Sequence, residues 1–128
     1  MRRDARILAF TLVFERFFNE SPFDEELWQQ TAETDHAFAK SIFDAYNENR
    51  TSIEKNISKL LVGYSIDRLH KVDLALLFIA AAELEYIKTP AAVVVNEVLE
   101  IAKLYSTPDS PKFLNGVLAT LIKEHGYA

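Results

Sequence analysis

Two groups of residues in this chain have side chains suited to holding a nucleic acid, and they stand at opposite ends of it. Near the start, RRDAR places Arg2, Arg3 and Arg6 within five residues. A guanidinium is planar, always charged, and offers a fork of donors that fits a phosphate and stacks on a base. On helical spacing Arg2, Arg6, Ala9, Val13 and Arg16 share one stripe, with Arg3 beside it and Asp4 offsetting part of the charge. Near the end, SPKFLNGVLATL (Ser110 to Leu121) reads as a helix. Ser110 is expected to cap it, and Pro111 suits the first helical position. Leu114, Val117, Leu118 and Leu121 recur at three and four residues as one apolar face, leaving Lys112 and Phe113 off that stripe. A helix start favours an anion, so Lys112 can hold a phosphate there while Phe113 stacks a base. Taken singly, these residue types are more often a solvated basic helix start and a core Phe beside a solvated Lys.

Two carboxylates stand out for their surroundings. Glu83 follows Ala80–Ala82 and Glu97 comes just after Val93–Val95, each within an apolar helix. A carboxylate in such a place must be paired or hydrogen-bonded. No Lys or Arg stands four residues to either side, so the expected donors are a neighbouring helix start or a side chain such as Asn115. The role read for both is structural. Catalysis finds little support: there is no Gly-rich phosphate loop and no pair of histidines at helical spacing. With no cysteine, disulfides and thiolate zinc sites are excluded, and His36, His70 and His125 are too scattered for a metal. No cofactor is expected. The net charge of −5 argues against a generic nucleic-acid binder but allows a local basic site on an acidic body.

The elements that must position these residues are helices only. At 128 residues with 49% hydrophobic and 26% charged content, the chain is expected to be one globular domain spanning 1–128. No apolar run is long enough for a membrane helix, and the start is too polar for a signal peptide, so the expected compartment is the cytoplasm. The periodicity predicts a first helix over about Arg3 to Phe18 and a second over about Asp24 to Ala32, with Phe23, Leu27 and Trp28 inward. A third begins near the candidate caps Thr34 and Asp35 and runs, kinked near Asn47–Thr51, to about Leu61, with Gly63 as terminator. A short turn over Ser65–Leu69 precedes a strongly apolar helix from about Lys71 to Tyr86. Helices from about Pro90 to Tyr105 and from Ser110 onward complete an all-α chain of six to seven helices. The core expected from these faces is Phe10, Phe14, Phe17, Leu60, Leu77, Leu84, Val98, Ile101, Leu118 and Leu121.

The order of elements resembles the NusB family of bacterial transcription antitermination factors over essentially the whole chain. The residues that carry the resemblance are RRDAR before an apolar helix, VDLALLFIAAAEL (Val72 to Leu84), VVVNEVLEIAKLYS (Val93 to Ser106) and SPKFLNGVLATL. The resemblance implies an all-helical fold of two packed helical sub-bundles. It implies a partner, the small-subunit ribosomal protein also called NusE, and joint binding of the boxA element of nascent ribosomal RNA. Read-through by RNA polymerase with other antitermination factors is the implied outcome. By the same resemblance Arg2, Arg3, Arg6, Lys112 and Phe113 fall on the RNA side, and Asp73 falls where the family meets its protein partner.

The chain departs from the family pattern at Asp4, usually basic, and at Leu74, Phe78 and Ala82, where relatives commonly carry arginines or a tyrosine. If exposed, the last three would leave an apolar surface. Two alternatives follow. One is a helical module that binds protein partners or self-associates as a homodimer. The other is the RNA-targeting domain of a ribosomal RNA methyltransferase, against which a chain ending at Ala128 is expected to stand alone.

Overall fold

A computed structural model describes residues 2–18, 33–61, 63 and 65–128. The second predicted helix, with Phe23, Leu27 and Trp28, lies outside the described residues. Those described form six α-helices and no strand: α1 (Arg2–Arg16), α2 (Glu33–Glu48), α3 (Arg50–Ser58), α4 (Lys71–Ala82), α5 (Ala91–Tyr105) and α6 (Ser110–His125). A 3₁₀ turn, Ile66–Arg68, precedes α4, and a π turn, Glu83–Ile87, extends it.

Why α4 is central follows from its composition. Every residue from Asp73 to Ala82 is buried. A helix that is apolar all round is stable only when surrounded. It packs against each of the other five helices, joining α1, α2 and α3 on one part of its surface to α5 and α6 on another. Leu74, Phe78 and Ala82 therefore sit in the core rather than forming an exposed apolar face. The Phe78 ring stacks on Tyr46 at 5.4 Å and takes the edge of Phe17 at 5.9 Å. Core packing thus uses the positions at which the family resemblance implied arginines or a tyrosine.

Most of the expected core is buried, but Phe14, Phe17 and Leu60 are only partly covered, because they lie at helix ends. The predicted long third helix is two helices. Asn49 leaves helical geometry at φ −121° and its side-chain amide donates to the Ala45 carbonyl at 2.9 Å. An asparagine that satisfies a backbone carbonyl locally competes with the helix ladder. Gly63 does adopt φ +80°, but several residues past the end of α3. The end of α4 closes at Lys88, in the left-handed region at φ 67°, with the Thr89 amide donating to the Glu83 carbonyl at 3.3 Å. No helix among the described residues is long and apolar enough to cross a membrane.

Candidate nucleic-acid interface

The arginines at the start of α1 are not a free basic cluster. Arg6 is 3% exposed and wraps Glu83, which is fully buried. Its Nε donates to Oε1 and Oε2 at 3.1 and 2.9 Å, and its Nη2 to Oε1 at 2.5 Å. Thr89 Oγ1 adds a donor to the same carboxylate at 2.9 Å. Arg3 grips Glu97 with two parallel bonds, Nε to Oε1 at 3.1 Å and Nη2 to Oε2 at 2.7 Å, the bidentate geometry that suits a guanidinium. Hydrogen bonding from Arg3 holds the Glu97 carboxyl below the usual carboxylate range and raises Arg3 in turn. Arg2 lies over the Phe38 ring at 4.3 Å, a cation–π contact, and is exposed.

This placement corrects two expectations. Arg6 was placed toward RNA by its stripe, but its guanidinium is the counter-ion of Glu83. Glu83 and Glu97 were expected to accept from a helix start or from Asn115, but their donors are Arg6, Arg3, Thr89 and the adjacent Asn96, and Asn115 is exposed. The physical demand was legible, since an apolar helix cannot hold an unpaired carboxylate. The partners were not, because Arg6 and Glu83 are 77 residues apart in the chain. In formal charge Arg2, Arg3 and Arg6 are balanced by Asp4, Glu83 and Glu97. Arg2 and the exposed edge of Arg3 are what this end offers an outside anion.

At the other end Lys112 is exposed and Phe113 half-buried on the first turn of α6. They line an open groove of about 550 Å³ with Leu60, Asp109, Gly116, Val117 and Thr120. Ser110 is not the cap: it is the first residue of α6, after Asp109, and its hydroxyl donates to Asp73 Oδ2 at 2.9 Å. Ser106 donates to Asp73 Oδ1 at 2.6 Å, and its oxygen lies 2.8 Å from that of Ser110. Asp73 was expected at the protein-partner surface. It is 6% exposed, and both its oxygens tie the start of α4 to the turn between α5 and α6. That network fixes where α6 begins, and with it Lys112 and Phe113.

The arginines engage Phe38, Glu97 and Glu83 rather than the described lining of the groove. What relates the two ends is α5, which meets α1 at Arg3–Glu97 and again at Phe10–Tyr105, with ring centroids 5.7 Å apart. Tyr105 continues a ladder of rings through Phe10, Phe14 and Phe18, at 6.4 and 5.1 Å. Tyr105 is half exposed at 50% and Phe18 more so at 66%. In the sequence Tyr105 reads as a continuation of the Val94–Val98–Ile101 core stripe; only its place at the helix end exposes it.

The family model described as the NusB family matches residues 3–123. The chain belongs to the NusB family. It is 35% identical over 130 residues to the transcription antitermination protein NusB of Clostridium novyi (strain NT), covering 95% of this chain and 98% of that one. It is also similar to the T. maritima NusB structure, with a TM-score of 0.84, 32% identity and coverage of 97% and 92%. A solved structure of the antitermination factors NusB and NusE in complex with dsRNA gives a TM-score of 0.86 at 26% identity, covering 96% of each chain. The NusB fold implied by the sequence motifs is therefore the fold of this chain.

Proposed function

We propose that this chain acts as a transcription antitermination factor, binding boxA-type RNA of nascent ribosomal transcripts together with NusE so that RNA polymerase reads through terminators. The observation that carries this reading is the match along nearly the whole chain to transcription antitermination relatives. The likeness to a NusB–NusE–RNA assembly supports the two partners. Such work belongs in the cytoplasm.

In this reading the RNA surface consists of Lys112 and Phe113 at the groove, with Arg2 and Arg3 contributing from α1. Lys112 supplies a point charge to a phosphate and Phe113 a face for a base. Arg6 contributes indirectly, by holding α1 against α4 through Glu83. Asp73 contributes by fixing the start of α6. The test is transcription through a terminator placed downstream of boxA, with polymerase, NusE and the other antitermination factors supplied. Read-through should rise when this protein is added and fall back when boxA is scrambled. Equal read-through on both templates would overturn the reading.

A further inference from the structure

Gly116 lies in the middle of α6, where a glycine weakens the helix relative to alanine. Nothing among the described residues requires it. A Cβ built on Gly116 would meet no atom within 4 Å, and the residue is exposed and lacks the positive φ of Gly63 and Gly126. It lines the groove between Lys112 and Phe113, one turn before it, and Thr120, one turn after it. The Thr120 hydroxyl is turned back to donate to the Gly116 carbonyl at 3.1 Å, which leaves the groove floor at Gly116 without a side chain.

A glycine that destabilises its own helix and clears no internal contact clears space for something outside. Lys112 fixes the sign of that occupant: it is exposed and makes no ion pair among the described residues, so an anionic chain fits beside it. We propose that Gly116 is an RNA-contact residue, admitting the sugar–phosphate backbone of single-stranded RNA to direct contact with α6 while Lys112 takes a phosphate and Phe113 a base. The inference rests on the RNA-binding reading above and adds to it a residue without any donor or charge.

The experiment compares the parent, Gly116→Ala, Gly116→Leu and Lys112→Gln in two measurements. One is thermal unfolding of the protein alone; the other is binding of a single-stranded boxA oligonucleotide with NusE present and, separately, of NusE alone. Gly116→Ala should raise Tm by a few degrees, since alanine is the better helix former and its methyl meets nothing. The same variant should weaken RNA binding about tenfold, and Gly116→Leu more, with NusE affinity unchanged. Unchanged RNA affinity in both Gly116 variants overturns the inference while leaving the RNA reading intact if Lys112→Gln still binds more weakly. A fall in Tm for Gly116→Ala also overturns it, by showing an internal role for the glycine. Weakened NusE binding with RNA affinity unchanged makes the groove a protein-docking site, against the inference. A parent that does not bind the RNA brings down both.

Discussion

Removing the Glu83 side chain should be among the most damaging single changes in this protein. Among the described residues, Glu83→Ala leaves Arg6, 3% exposed, with Glu97 3.8 Å from its Nη1 and the Phe38 ring at 5.1 Å as its remaining partners. Breaking a buried pair on one side costs ~3–5 kcal/mol, because the stranded ion is desolvated without compensation. For 128 residues, an unfolding entropy of about 2.1 cal/mol/K per residue converts that into a Tm loss of roughly 10–20 °C. The loss comes from the stranded ion, not from the pair as such. Arg6→Met with Glu83→Leu should therefore recover much of it, since apolar replacement of a buried pair is often neutral or stabilising. Thermal and urea unfolding followed by circular dichroism on parent, Arg6→Met, Glu83→Leu and the double variant complete the cycle, with Glu83→Ala measured alongside. A Glu83→Ala protein within about 1 kcal/mol of the parent would refute the reasoning. So would additive losses in the double variant.

The Glu97 carboxyl, held low chiefly by hydrogen bonding from Arg3, contributes stability that is present above its ordinary value near 4.5 and is lost as pH falls through its depressed folded value. Glu97→Gln should therefore lose stability relative to the parent at neutral pH, with the gap closing on acidification below that value; a gap that widens there refutes the assignment. Arg2→Ala and Lys112→Ala should each flatten the slope of log RNA affinity against log salt by about 0.7. Phe113→Ala should cost ~1–3 kcal/mol of stacking with the slope unchanged, which a titration at several salt concentrations resolves. Tyr46 is fully buried, and its hydroxyl has no hydrogen-bond partner among the described residues. Tyr46→Phe should therefore keep or raise the urea midpoint, and a drop of more than about 1 kcal/mol would reveal a partner for that hydroxyl.

Local patterns were legible in the sequence because they depend on neighbours three and four residues away. The Leu114–Val117–Leu118–Leu121 face follows from such spacing, and the break at Lys88–Pro90 from local turn chemistry. The apolar character of Leu74–Ala82 was equally plain, but whether Leu74, Phe78 and Ala82 face solvent or core was settled only by the packing around α4. The need for partners at Glu83 and Glu97 followed from their apolar neighbours. Who answers that need did not, because α1 meets the end of α4 only through the chain's long-range packing. The same limit hid the role of Asp73. Its acidic character at a helix start reads equally well as a dipole partner, a partner-binding group or the anchor of a turn, and only the approach of Ser106 and Ser110 decides. Arg6 shows the opposite failure: its residue type suits RNA, but burial has already committed its donors. The groove at Lys112 and Phe113 was half legible, as two side chains off an apolar stripe, while Leu60 completes it from beyond α3.

The central claim is that this protein recognises boxA RNA jointly with NusE. Fluorescence anisotropy of a labelled boxA oligonucleotide, titrated with the protein alone and with the protein plus NusE, at several salt concentrations and against a scrambled sequence, tests it most directly. Because Asp4, Glu83 and Glu97 balance the arginines, the protein alone should bind weakly, and NusE should tighten binding to boxA over the scrambled sequence with a steeper salt dependence. Affinity that is the same with and without NusE, or the same for both sequences, would contradict the account.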